Sequence, residues 1–168
     1  SNMLLGSGSQ PVRPLLDAGV NVSLGSDGSC STTTSNMLNV AGSAAALSKI
    51  RGDDFTRWLS AKEALVAGTL SGAKALGFEG RLGAIRPGMT ADLVAYRLDT
   101  VSFSPLNDPI QQLVYAERGA GIDTVLVDGA VVLRGGRLTR IDESKVLADI
   151  ASEYELSLIH ISEPTRRY

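Results

Sequence analysis

Histidine and cysteine are nearly missing from this sequence, whose 168 residues hold one of each, His160 and Cys30. A single cysteine excludes an internal disulfide and any multi-thiolate metal cluster within one chain. A lone histidine has no second imidazole or thiolate nearby with which to share a metal or a proton. Aromatic residues are scarce at 5%, and neither charge sign dominates: 16 Lys and Arg stand against 18 Asp and Glu, a net charge of −2. The cations are scattered, so no basic stripe invites a phosphate backbone, and nucleic acid is not an expected partner. No apolar run approaches the roughly 18 residues a membrane span requires. The opening residues also lack a basic segment leading into an apolar one, so no secretion signal is visible and the cytoplasm is the expected compartment.

What is present is glycine, 18 residues of it, with 43% apolar residues. That balance points to a compact fold with many tight connections and small-residue packing. The length suits one domain with a sizeable core but is short for a complete large barrel enzyme. Ser1-Asn2-Met3 opens in mid-motif with no strand before it, so a fragment is expected.

The far end reads differently. From Leu156 the text "LSLIHISEPTRRY" bears no relation to the composition before it. Leu156 to Arg166 resembles the translation of a transposase mosaic end followed by a library adapter. Such scars are set aside in fold reasoning, and His160, which falls inside this one, is assigned no role.

Along the remaining chain, Pro11 suits a first helical position and Gly19 a position past the end, so the sequence predicts a helix over Pro11–Ala18. Val20–Leu24 is expected to be a strand. Met37, Leu38, Ala41, Ala44, Ala45 and Leu47 recur at helical spacing and predict a second helix over Asn36–Ile50. Ser60-Ala61-Lys62-Glu63 is a capping box, and the helix it opens is expected to run to Leu76 with Gly77 as its stop. Past Gly80 the character changes. Pro87-Gly88 precedes a β-type run over Asp92–Leu98, and Asp128-Gly129 between two alternating apolar segments is a two-residue hairpin signal, since both positions need positive φ. A second turn at Arg134 to Arg137 leads into Leu138–Ile141. Asp142 can cap a last helix over Glu143–Glu155, with Val146, Leu147, Ile150 and Tyr154 on one face. The expected organisation is an α/β part over residues 1–79, a β-rich part over 80–155, and the foreign tail over 156–168.

Several candidates for chemistry reduce to structure. Gly6-Ser7-Gly8-Ser9-Gln10-Pro11 starts like a phosphate loop, but Pro11 stands where a dinucleotide site needs Gly, and no Lys-Ser or Lys-Thr follows. Asp92 and Asp128 sit at a strand start and a hairpin turn, where short carboxylates bond to the backbone. Cys30 has no histidine to activate it. Asp27 differs from these. It ends a strand within a helix, strand and helix order that fits one step of a parallel barrel, and Ser29 to Ser35 after it are small enough to leave an open mouth. A carboxylate at the C-terminal end of a barrel strand can ligate a divalent metal or accept a proton, although an Asp-Gly after a strand is also an ordinary turn.

Four blocks in order, "SNMLLGSG…PVRPLLDAGVNVSLGSDG", "SAKEALVAGTLSGAKALGF", "GRLGAIRPGMTADLVAY" and "TVLVDGAVVLRGGRL", resemble the C-terminal part of the metal-dependent amidohydrolase superfamily. The branch is that of the cytosine, guanine, methylthioadenosine and aminotriazine deaminases and chlorohydrolases. The resemblance covers residues 1–155. It implies an α/β fold, the C-terminal part of a (β/α)8 TIM barrel with part of a small β-sandwich built from the two chain ends. It also implies one divalent metal, Zn or Fe, in the full-length parent. The Asp of the "LGSDG" block falls on Asp27, implied as metal ligand and as the carboxylate that takes the proton of the attacking water. Asn2 matches the "SN" after the seventh strand, implied to shape the substrate pocket. The implied reaction is hydrolytic deamination or dechlorination of a small nucleobase-like or triazine-like ring, and a homo-oligomer is compatible with it. The family's His-x-His, its two later histidines and its acidic proton shuttle do not occur here, so this chain alone is expected neither to bind the metal nor to turn over. Two alternatives are a non-catalytic assembly module and a parent that opens cyclic amides.

Overall fold

A computed structural model describes residues 2–51 and 54–161. Six α-helices are built among them: α1 Val12–Asp17, α2 Met37–Ser48, α3 Ala61–Gly68, α4 Leu70–Ala75, α5 Pro109–Tyr115 and α6 Glu143–Ile161. Four strands, β1 Leu93–Tyr96, β2 Ile122–Val127, β3 Ala130–Arg134 and β4 Arg137–Leu138, form one antiparallel sheet in chain order.

The core lies between helices and is made of small side chains. Ala41 and Ala45 of α2 meet Ala61 and Ala64 of α3, with Leu59 and Val114 closing the cluster. Val12 and Leu16 of α1, four residues apart and therefore on one face, pack against it. Small residues let backbones approach. At Gly42 an added Cβ would lie 2.7 Å from the Val114 carbonyl oxygen, so α2 and α5 meet main chain to main chain.

Four helix starts follow their caps. Asn36 Oδ1 accepts from the Leu38 amide at 2.9 Å. Both halves of the Ser60–Glu63 capping box form, which satisfies two amides that the first turn of α3 would leave open. Asp108 Oδ1 accepts from the amides of Ile110 and Gln111, with Pro109 at the first helical position. Asp142 likewise accepts from the Lys145 amide at 3.1 Å, opening α6.

Four expectations are corrected. Val20–Leu24 is extended but is not a strand, because a strand is defined by a ladder and none of the described strands pairs with it. Its bonds run to helices instead: the Val20 amide to Leu15 O, and the Leu24 amide to Ala67 O at 3.2 Å. The helix from Ser60 does not run unbroken to Leu76. Thr69, at φ −123° and ψ −87°, divides it into α3 and α4. The Thr69 hydroxyl bonds back to Leu65 O at 2.7 Å. Gly83 sits so close to the break that an added Cβ would lie 2.9 Å from Leu70 Cα and Thr69 O. Gly77 does end α4, at φ +77°. The last β segment covers Arg137–Leu138, not Leu138–Ile141. Helix α6 passes Glu155 and continues to Ile161, since no Gly or Pro interrupts the sequence before Pro164. The side chain of His160 and all of residues 162–168 lie outside the described residues.

The hairpin forms as expected, with Asp128 at φ +50° and Gly129 at φ +74°, the signs of a type I′ turn. Asp92 Oδ1 accepts from the Asp128 amide at 2.7 Å, so the Asp92 carboxylate serves the backbone around the turn, while Asp128 takes part through its main-chain amide. The stripe Val146, Leu147, Ile150 and Tyr154 on α6 is exposed throughout.

Candidate functional site

The ribbon Val20–Ser26 carries Asp27 at its end. Burial alternates along it, with Val22, Leu24 and Ser26 turned inward and Asn21, Ser23 and Gly25 exposed, the period of an extended chain. Leu24 packs on the helical core. The Asn21 side chain donates to Ser71 O at 3.1 Å, tying the ribbon to α4 as well.

Helix α1, which feeds the ribbon, is itself fixed by charge. Arg13 donates to Arg57 O at 2.8 Å and to Glu63 Oε1 at 2.8 Å. Asp17 takes Arg57 at 2.5 Å. Burial pushes the Glu63 carboxyl up. Hydrogen bonds from the Ser60 amide, the Arg13 guanidinium and the Ser60 hydroxyl outweigh that effect, and its pKa lies below the ordinary glutamate value.

Asp27 turns the corner in the left-handed region, at φ +67°. Among non-glycine residues Asp and Asn tolerate that region best. Its Oδ1 accepts from the Gly28 amide at 2.8 Å, and its carbonyl accepts from the Ser26 hydroxyl at 3.4 Å. The side chain is exposed, as are Gly28, Ser29 and Cys30 after it. The Ser31 amide bonds to Gly28 O at 3.0 Å and closes a turn there.

A cleft of about 840 Å³ runs along the ribbon, lined by Asn2, Val20–Gly25, Thr33, and Val40 and Ser43 of α2 among others. Asn2 is thus a cleft residue, and its carbonyl accepts from the Ser7 amide at 2.9 Å. The cleft wall on the ribbon side ends at Gly25, and Asp27 lies beyond it. Among the described residues no group of three or more His, Cys, Asp or Glu side chains is placed to hold a metal. One carboxylate is less than the three protein ligands usual at a catalytic zinc, so these residues alone do not make a metal centre.

One buried acid escaped sequence reasoning. Glu117 is wholly buried at the end of α5, and its Oε1 accepts from the amides of Arg118, Gly119 and Gly121. The signal was the run Glu-Arg-Gly-Ala-Gly, whose small residues let the main chain wrap a carboxylate.

The Amidohydrolase family profile matches residues 1–132, and the chain belongs to that family. The chain is 42% identical over 146 residues to a 5-methylthioadenosine/S-adenosylhomocysteine deaminase of Acetivibrio thermocellus, covering 87% of this chain and 34% of the relative. It is 40% identical over 147 residues to a 5′-deoxyadenosine deaminase of Methanothermobacter thermautotrophicus, covering 88% and 34%. Among solved structures, an adenosine deaminase from Xanthomonas campestris with bound zinc superposes with a TM-score of 0.87 at 34% identity, covering 92% of this chain and 35% of that one. Atrazine chlorohydrolase from Arthrobacter aurescens, complexed with zinc, gives 0.82 at 31% identity, covering 90% and 33%. The chain therefore spans about a third of the length of these proteins. Its fold is the C-terminal part of their α/β barrel with part of the small β-sandwich.

Proposed function

We propose that this chain is the Asp27-bearing third of a metal-dependent hydrolase that removes an amino group from a small adenosine-like ring. The observation that supports this most is Asp27 itself: a carboxylate at the end of an extended ribbon, on a left-handed corner, inside a chain of the Amidohydrolase family. Two relatives are named as deaminases of adenosine derivatives, and two structural neighbours were solved with zinc.

In this reading Asp27 supplies one oxygen ligand, and the remaining ligands come from the two thirds of the family fold that this chain does not span. A zinc ion bound there would supply a water acidic enough to attack near neutral pH. Asp27 accepts a proton from the attacking water and returns it to the departing amine, the two-way duty of a general base that becomes a general acid. The Gly28 amide on Oδ1 restrains the carboxylate's rotation. Asn2, on the cleft wall, contacts the substrate. Residues 1–79 form the barrel part, residues 80–155 the return and sandwich part, and residues 156–168 an appended tail, in a cytoplasmic enzyme.

The test is a chimera in which residues 1–155 replace the matching third of the Acetivibrio thermocellus deaminase. We expect about one zinc per chain and release of ammonia from methylthioadenosine. Asp27→Ala is expected to lose the zinc and to lower turnover by about a thousandfold or more. Retention of both would end the reading. A triazine substrate assayed in parallel separates dechlorination from deamination.

A further inference from the structure

The segment between Asp27 and α2 is rich in hydroxyls, exposed in part, and without regular structure, features that would suit a moving lid. Its hydrogen bonds argue the opposite. Thr34 Oγ1 accepts from the Asn36 amide at 3.0 Å and from Asn39 Nδ2 at 3.3 Å. Asn36 is the cap of α2 and Asn39 stands in its first turn, so one hydroxyl joins the segment to two points on the helix. On the other side Thr34 wraps Thr32: the Thr32 hydroxyl donates to Thr34 O at 3.0 Å and accepts from the Thr34 amide at 3.3 Å.

The helix end is held in turn. Gly119, shaped by the Glu117 carboxylate, lies against the Asn36 side chain, where an added Cβ would stand 3.6 Å from Nδ2. Asn39 Oδ1 is buried with no hydrogen-bond partner among the described residues. Leaving a buried acceptor unmet is a cost, and the amide that bears it spends its donor on Thr34. Thr33, next in the chain, lines the cleft with Asn2 and Gly25.

We propose that Thr34 is a positioning residue that makes the Asp27-to-α2 segment a fixed wall of the site, set in place before any substrate arrives. The inference rests on the reading of Asp27 as the site carboxylate. A wall of this kind bounds the cleft next to Asp27 without a closing step.

The sequence provides its own probe, because Cys30 is the chain's sole cysteine and is exposed within the segment. A nitroxide on Cys30 reports the segment's mobility through its electron paramagnetic resonance line shape. Thr34→Val keeps the shape and removes both accepted bonds. It is expected at least to double, roughly, the mobile spectral component and to speed amide exchange of residues 28–35 by about tenfold, with β2 amides unchanged. Thr34→Ser, which keeps the hydroxyl, is expected to restore both. Asn39→Leu removes one arm, shifts both readouts the same way by less, and carries the test where Thr34→Val does not fold. Unchanged line shape and exchange in the variants overturn the proposal, as does exchange that rises equally in β2 and α3. Neither readout involves metal, so failure of Asp27 as a ligand, seen as zinc retained in the Asp27→Ala chimera, is a separate result.

Discussion

Oε2 of Glu117 lies 2.7 Å from the point that a Cβ on Gly121 would occupy, while Oε1 of the same carboxylate takes the Gly121 amide at 3.0 Å. The two residues fit only each other. The acid needs the glycine's missing side chain, and the turn needs the acid's oxygen. Arg97 and Gly121 are joined alongside by a backbone bond of 2.7 Å, so this pair also marks where the helical layer meets the sheet. Tyr96 beside it is pushed above the ordinary tyrosine pKa, by burial first and by the Glu117 charge second.

Gly121→Ala is therefore expected to lower stability by about 2 kcal/mol or more, because the displaced carboxylate loses bonds while it is wholly buried. Glu117→Gln keeps one oxygen acceptor and is expected to cost about 1 to 3 kcal/mol. Urea unfolding of the two variants checks both figures, and a Gly121→Ala protein as stable as the parent would remove Glu117 from its assigned place.

Gly42→Ala sets two principles against each other. Helix propensity alone favours Ala over Gly by about 1 kcal/mol. The new methyl, however, would stand 2.7 Å from a main-chain oxygen of Val114 that cannot swing aside. Overpacking of that kind costs about 1 to 3 kcal/mol, so a net loss is expected. Gly72→Ala in α4 is the control, because its nearest contact is an ordinary 3.8 Å. It is expected to be neutral or to gain up to about 1 kcal/mol.

The Glu63 carboxyl gives a pH dependence with a definite sign. Its folded pKa lies below the ordinary 4.5, so its contribution is present above 4.5 and is lost as pH falls through the lower folded value. Chemical denaturation between pH 6 and pH 3 should show stability falling on the acid side, with a shallower fall in Glu63→Gln. The fall should not vanish, since Asp54, Asp99 and Asp108 are also held below the usual aspartate value: Asp54 mainly by the Thr56 hydroxyl, Asp99 by the Arg97 guanidinium, and Asp108 by the Gln111 amide. Identical slopes in parent and variant would show that the Arg13 and Ser60 contacts do not persist in solution.

Local chemistry was legible in the sequence wherever it is complete within a few residues. The Ser60–Glu63 box and the Asp128-Gly129 turn need only themselves, and both formed as expected. The Val20–Leu24 ribbon shows the limit, since its alternation is real but a ladder requires a second segment. The break at Thr69 was hidden because its cause, the close approach of Gly83, lies fourteen residues on. Helix α5 was missed although Asp108-Pro109 carries a cap and first-turn signal, because seven residues are too few for periodicity to register. Asp27 stands out in the sequence as a candidate, through the block around it. Its left-handed backbone and the Thr34 contacts that fix the segment after it were not legible, since neither follows from residue type alone.

Asp27 also takes its elevation from an unexpected source. Among the described residues, the ribbon before it is moored by the Leu15 and Ala67 carbonyls and by Asn21 on Ser71. Small shifts in α1, α3 or α4 would then raise or lower the carboxylate like a mast stepped on a deck, so that remote helix substitutions move it while leaving every residue around it untouched.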